Sequence, residues 1–347
     1  MKKYLGRNRW WLVRTGWLPI HIAFFATVAF FLVRLVPGDP VLARLDTSGG
    51  YTKAEYNAAA KSIGLDGSIW HQLGLFWSKL IQGNLGVSPV TGRPVWTELI
   101  SRLPSTVELV TLGLVGSIVL SLALAMLQLR SSSPTVHKVL RGYGRIAGAV
   151  PDFAVAILGL VVLYTVLRVI PAPIGRVTPG IPTRTLTGFP LLDDVLTASW
   201  PALGSTLAHY ALPVLVIIVV HTPNVWKQLT LGLQEQAPAP STLFKIASGA
   251  TRPAIYRSVL RRASASAVVM LGALFGGLIG GVVVLEQIFG FGGLGQFAIN
   301  SVDNLDFLGL QGFLIVIAGI ALIVYFLVDI VNMLLDPRRR PGVRVDA

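Results

Sequence analysis

Long apolar runs alternate along the chain with shorter segments that carry most of its charge. A helix needs about 20 consecutive apolar residues to cross the hydrocarbon layer of a bilayer. Six runs have this character, at residues 17–36, 106–129, 146–167, 207–226, 263–285 and 307–332. Their length and number predict an all-α membrane protein with about six membrane-spanning helices.

The first apolar run follows a basic N-terminal segment and has the outline of a secretory signal peptide. Its apolar part is longer than the roughly 7–15 residues of a signal core. Residues 34–37, which follow it, read Arg-Leu-Val-Pro and offer no small-residue cleavage site. We therefore interpret this run as a retained anchor helix.

The distribution of basic residues predicts the orientation of the chain. If the N-terminus is cytoplasmic, the cytoplasmic segments hold 19 of the 29 Lys and Arg residues, and such an excess is typical of cytoplasmic loops. Both termini then lie in the cytoplasm. The predicted order is a cytoplasmic N-terminus (1–16), a first span (17–36), an external loop (37–105), a core (106–335) that includes a cytoplasmic loop (227–264), and a cytoplasmic tail (336–347).

Two capping boxes mark predicted helix starts. In this motif a Ser or Thr and a Glu three residues later each bind the other's backbone N–H. Thr52 and Glu55 have this spacing and predict a short helix at residues 53–63. Ser105 and Glu108 repeat it, which predicts that the second span starts there with Glu108 as the capping partner.

The external loop also contains an apolar stripe at helical spacing. It predicts an amphipathic helix at residues 70–81 whose apolar side is formed by Trp70, Leu73, Phe76, Trp77 and Leu80. Two tryptophans on that side favour a position against the membrane interface or the mouth of a pore.

Composition and charge support the membrane interpretation. The chain is 53% hydrophobic and only 13% charged, whereas soluble domains have about 25% charged residues. A nucleic-acid-binding protein would concentrate the net charge of +13 on one soluble face. Here the charge lies in short loops, so we expect a lipid bilayer and no nucleic acid as partner. The absence of cysteine excludes disulfides and thiolate metal sites.

The sequence lacks the common nucleotide-binding and metalloprotease motifs. It has neither a P-loop nor an HExxH motif, and its five histidines do not cluster. We therefore expect no catalytic residue, no metal and no cofactor. Residues 290–295 match the GxGxxG dinucleotide fingerprint, but that fingerprint follows a strand in a soluble unit. Here an apolar run precedes it, which predicts a tight external turn.

Acidic residues are rare within the apolar runs. Asp152, Glu286 and Asp329 lie near the ends of the third, fifth and sixth runs, where helix capping or interface anchoring explains them. An ion-coupled carrier usually buries carboxylates at mid-membrane. The positions of these three residues therefore argue against ion-driven transport.

Small residues at four-residue spacing mark the fifth span. Gly272, Gly276 and Gly280 form the row, and such rows let helices approach closely in lipid. The row predicts helix packing either within this chain or against a partner across a pore. The sequence leaves these two arrangements open.

The loop between the fourth and fifth spans combines helix breakers with a short apolar segment. Pro238 and Pro240 interrupt it, and Ala247, Ser248 and Gly249 follow. Glycine allows the left-handed turn at which a helix ends, and small neighbours allow another protein to approach. The pattern fits a protruding loop that docks on a partner, but it also fits an ordinary basic loop.

The spacing of Glu235, Ala247 and Gly249 resembles the EAA loop of membrane subunits of ATP-binding cassette (ABC) importers. Other segments resemble the permeases of the dipeptide, oligopeptide and nickel importer family, in particular the subunit with the long first external loop. They are residues 34–40 (RLVPGDP), 82–86 (QGNLG), 103–106, 151–153, 212–213, 286–295, 304–306 and 328–338. The resemblance covers essentially the whole chain.

The resemblance implies a type I ABC importer permease in the bacterial inner membrane that forms half of a translocation pathway for dipeptides or oligopeptides. It implies four kinds of partner: a second permease subunit, two cytoplasmic ATP-binding subunits, an external substrate-binding protein and the lipid bilayer. ATP hydrolysis would lie in the partner subunits. The residues implied to couple the pore to the ATPases are Glu235, Ala247, Ser248, Gly249 and Arg257.

Two alternatives stay open. The same architecture could import nickel, metal chelates or short glycans. An ion-coupled carrier or an intramembrane enzyme lacks support, because the sequence shows no mid-membrane carboxylate and no nucleophile–base pair. The loop also departs from the family pattern, since residues 238–241 replace its acidic–aromatic pair and the segment 249–257 is one residue shorter. The coupling helix is therefore expected to be altered.

Overall fold

The computed structural model describes residues 2–42, 45 and 50–335, with side chains from residue 16 onward. The predicted cytoplasmic tail, 336–347, lies outside the described residues. Within them the chain forms twelve α-helices: α1 (Lys2–Val33), α2 (Lys53–Ile63), α3 (Ile69–Ile81), α4 (Val95–Arg130), α5 (Pro134–Ile146), α6 (Asp152–Gly159), α7 (Pro190–Leu196), α8 (Trp200–Gln236), α9 (Pro240–Ala247), α10 (Arg252–Phe289), α11 (Leu294–Asp303) and α12 (Phe307–Leu335).

Five of these helices are long and apolar enough to cross a membrane, namely α1, α4, α8, α10 and α12. The third predicted span differs from the expectation. Ile146 ends the amphipathic α5, and the apolar part is α6 followed by a π-helix, Leu160–Val166. Together these 8 and 7 residues extend about 22 Å. Pro151 separates them from α5, because a residue before proline disfavours the helical conformation.

Four of the spanning helices, α1, α4, α8 and α10, continue well beyond their apolar runs. Helix α4 begins at Val95 rather than at Ser105, and α8 ends at Gln236. Since α10 begins at Arg252, most of the predicted loop 227–264 is helical, and only α9 with its two flanking turns lies between the long helices. A hydropathy pattern detects the lipid-facing length of a helix and misses its polar extensions.

The core is formed where α4, α8 and α10 pack together. It is fully buried at Leu109 of α4, Ile217 of α8 and Leu278 of α10. Helices α8 and α10 approach closely at Gly232, where a Cβ atom would lie 3.0 Å from the Cα of Ala263. Glycine at this position lets the two backbones come together without a side chain between them.

Helix α1 and the segment between α1 and α4 pack on the side of this core. Helix α1 contacts α12, and α3 contacts α1 through Phe76 on Phe30, with ring centroids 5.4 Å apart. The predicted helix at 53–63 is confirmed, and so is its capping box. Thr52 donates its backbone N–H to the Glu55 carboxylate at 2.7 Å, and this hydrogen bond lowers the pKa of Glu55.

Candidate coupling and transport site

Helix α9 is held between the ends of α8 and α10 by polar contacts. Thr242, which is buried, donates to the Gln236 carbonyl at 2.8 Å and accepts from Arg262 at 2.6 Å. Arg262 also donates to the Gln236 side chain at 3.0 Å and to Ser258 at 2.8 Å. Lys245 of α9 donates to the same Ser258 at 2.7 Å. The short helix is thereby fixed to both long helices.

The outer side of α9 is apolar and exposed. Phe244 is 73% exposed, and Leu243 and Ile246 are each 54% exposed. Tyr256 of α10 lies beside a cleft of about 370 Å³ that Ile246 and Leu129 of α4 also line. Large apolar side chains grouped on an otherwise polar loop are typical of a protein-interaction surface.

Gly249 ends this helix in the left-handed conformation, with φ +75°. Its N–H donates to the Ile246 carbonyl at 3.1 Å, and the N–H of Ala250 donates to the Lys245 carbonyl at 3.0 Å. These two bonds form a Schellman motif, which glycine at this position favours. A Cβ atom at Gly249 would meet nothing within 4 Å, so the backbone conformation and not crowding within the chain requires glycine.

A buried acid–histidine pair lies between α6 and α8. Nε2 of His221 is 3.1 Å from Oδ2 of Asp152, and the two side chains are 13% and 14% exposed. Nδ1 of His221 is buried and has no hydrogen-bond partner among the described residues. Both residues lie within apolar runs that the sequence predicts to span the membrane, Asp152 in 146–167 and His221 in 207–226. Asp152 begins α6, as the sequence predicted for a residue near a helix start, and its side chain contacts a histidine of another helix.

Two further carboxylates, those of Glu286 and Glu108, cap helices that the sequence did not reveal. Glu286 is fully buried and accepts from the backbone N–H groups of Gly295, at 2.7 Å, and Gln296, at 3.3 Å, which form the first turn of α11. The prediction for Glu108 is wrong, because α4 begins ten residues earlier than its capping box implied. Its carboxylate instead accepts the N–H of Leu191 at 3.1 Å, in the first turn of α7.

Residues 117–341, more than half of the chain, match the family described as the binding-protein-dependent transport system inner membrane component. The chain belongs to this family. It is therefore a multi-pass permease subunit of an ABC transporter in the bacterial inner membrane, and ATP hydrolysis takes place in other subunits.

Curated relatives match nearly the full length of the permease. It is 29% identical to the probable D,D-dipeptide transport system permease of Escherichia coli strain K12, over 92% of this chain and 94% of the relative. It is 28% identical to a putative peptide permease of Brucella ovis, over 89% and 92%. It is 23% identical to the dipeptide transport system permease of Alkalihalophilus pseudofirmus, over 92% and 96%.

The predicted coupling residues of the permease fall on three different helices. Ala247 ends α9, and Ser248 and Gly249 form its C-terminal turn, in which Ser248 donates to the Phe244 carbonyl at 2.9 Å. Glu235 lies exposed in the last turn of α8, and Arg257 lies exposed on α10. The sequence pattern missed the anchoring contacts of Thr242 with Gln236 and Arg262, because no local spacing links residues so far apart in the chain.

Two of the three glycines in the row of α10 pack against α12. A Cβ atom at Gly272 would lie 3.4 Å from the Tyr325 ring of α12, and one at Gly276 would lie 3.0 Å from the Tyr325 hydroxyl. These two glycines pack within the permease. Gly280 is exposed, and a Cβ atom there would meet nothing within 4 Å.

Proposed function

We propose that the permease forms half of the translocation pathway for dipeptides or oligopeptides in an ATP-driven importer. The names of its relatives support this substrate class, because those of the Escherichia coli, Brucella ovis and Alkalihalophilus pseudofirmus proteins all refer to dipeptides or peptides. The complete assembly would contain a second permease subunit, two cytoplasmic ATP-binding subunits and an external substrate-binding protein.

The observation that carries the proposal is the anchored, outwardly apolar α9. Its exposed side chains Leu243, Phe244 and Ile246 would contact an ATP-binding subunit, and Gly249 would let the surface of that subunit approach the end of the helix. Because Thr242 and Arg262 tie α9 to α8 and α10, a displacement of α9 would move both spanning helices together. Closure of the ATPase pair on ATP would thus be transmitted to the pore as a rigid-body movement.

The substrate class is tested by uptake into proteoliposomes that contain the whole complex, with the binding protein outside and ATP inside. We expect a labelled dipeptide to accumulate and unlabelled peptides to compete with it, whereas Ni²⁺, a metal chelate and a short glycan should not compete. Omitting the binding protein is the control. Competition by the metal or the glycan, with no effect of peptides, would assign the permease to another substrate of the same architecture.

The proposed topology places α2 and α3 outside the cell, where they would meet the binding protein. The chain has no cysteine, so Thr52→Cys introduces a single thiol at an exposed position. We expect a membrane-impermeant thiol reagent to label it in intact cells. Ser248→Cys, exposed at the end of α9, is the matched control and should react only after permeabilisation. The reverse labelling pattern would invert the topology.

A further inference from the structure

A cavity of about 60 Å³ lies where α1, α3 and α12 meet. Its walls are mostly apolar and include Phe30, Val33, Leu75, Phe76, Leu308 and Ile315. The coupling surface does not use this cavity, because none of the residues that line the cleft beside α9 lines the cavity.

Several side chains that can donate hydrogen bonds line the same cavity, among them Arg34, Lys79 and Gln311. Gln311 is only 7% exposed, and its Nε2 has no hydrogen-bond partner in the part of the chain that the structure describes. A buried donor without an acceptor is unfavourable. Its position in the lining indicates an acceptor supplied by a ligand.

The cavity is also positively charged. The Arg34 guanidinium lies 3.4 Å from the centre of the Phe30 ring and donates to the Phe30 carbonyl at 2.7 Å and to Gln72 at 3.1 Å, all of them uncharged partners. An arginine guanidinium keeps its charge at neutral pH. Among the described residues, the lining contains no carboxylate. The nearby Asp39 accepts instead from Tyr56 at 2.9 Å.

We propose that this cavity binds the phosphate of an anionic phospholipid, with Arg34, Lys79 and Gln311 as its donors. Apolar walls beside two cations suit a ligand that joins a charged headgroup to acyl chains. The surrounding surface is itself suited to lipid, since Phe24 of α1 is 61% exposed and Leu35, just after α1, is 77% exposed. Trp70 of α3, 71% exposed, is the residue type that favours the membrane interface.

The test is native mass spectrometry of the purified complex, titrated with dioleoyl-phosphatidylglycerol or dioleoyl-phosphatidylcholine. We expect the wild-type complex to bind the anionic lipid more tightly. Lys79→Gln should weaken that binding about fivefold, the effect of one basic residue near a membrane surface, and Arg34→Gln should weaken it at least as much. Lys61→Gln is the matched control, because it removes the same charge from an exposed position on α2 outside the cavity.

Each alternative occupant gives a different result. Equal binding of the two lipids, or equal effects of Lys79→Gln and Lys61→Gln, would overturn the proposal. Displacement of the lipid by inorganic phosphate alone would show a soluble-anion site, and displacement by a dipeptide would show a second peptide site. Lys79 is exposed, so Lys79→Gln should not disturb folding. The test therefore remains decisive even if Arg34→Gln prevents folding.

Discussion

Gly249→Trp is expected to abolish peptide uptake while the permease still accumulates in the membrane. Tryptophan disfavours the left-handed conformation at φ +75° by roughly 1–2 kcal/mol. This cost falls on one exposed turn and leaves the spanning helices intact. The larger effect comes from bulk, because the indole ring would stand on the surface that we propose meets the ATP-binding subunit. The measurements are uptake by the reconstituted complex and the amount of ATP-binding subunit that copurifies with the permease.

Two further substitutions separate backbone conformation from bulk. Gly249→Asn adds a small side chain and tolerates the left-handed region better than other residues do, so it should retain most of the uptake. Gly249→Ala bears the conformational cost with little bulk and should lie between the other two variants. Normal uptake by Gly249→Trp, with a normal yield of ATP-binding subunit, would contradict the docking proposal for α9.

The sequence predicted those features of the fold that depend on local pattern. Apolar length identified the five long spanning helices, and the Thr52–Glu55 spacing identified the start of α2. The same capping signature failed at Ser105, because it takes no account of a helix that already began at Val95. The length of the third span was overestimated for a similar reason. The apolar run continues across Pro151, whereas the helix begins only after it.

The candidate site depends on contacts that no local pattern contains. Gly249 could be singled out because its requirement for φ above zero follows from helix termination. The anchoring of Thr242 by Arg262 and the pairing of Asp152 with His221 join residues 20 and 69 positions apart. Such pairs arise from how the helices pack, α9 against α10 in the first case and α6 against α8 in the second. Sequence reasoning therefore placed Asp152 correctly at a helix start but assigned it a capping role, without the histidine that contacts it.

We predict that transport is driven by ATP and not by an ion gradient, and the pair of Asp152 and His221 makes this the most demanding of the predictions. Ion-coupled carriers use titratable groups inside the helix bundle, so the contact of Asp152 with His221 between α6 and α8 weakens the sequence argument against ion coupling. Membership in an ABC transporter family nevertheless favours ATP. We expect uptake in proteoliposomes that enclose ATP to persist when ionophores collapse the proton and sodium gradients. Loss of uptake when the ionophores collapse the gradients would contradict the proposed ATP-driven mechanism.

Variants of the pair distinguish a structural role from a transport role. Removing one partner of a buried ion pair costs roughly 3–5 kcal/mol, whereas replacing both partners is often much milder. If the pair only joins α6 to α8, Asp152→Asn should lower the amount of assembled complex, and Asp152→Asn combined with His221→Gln should restore it. Uptake per assembled complex should stay near the wild-type value in both. A steep fall in that ratio for Asp152→Asn, with assembly intact, would instead place the carboxylate in the transport cycle.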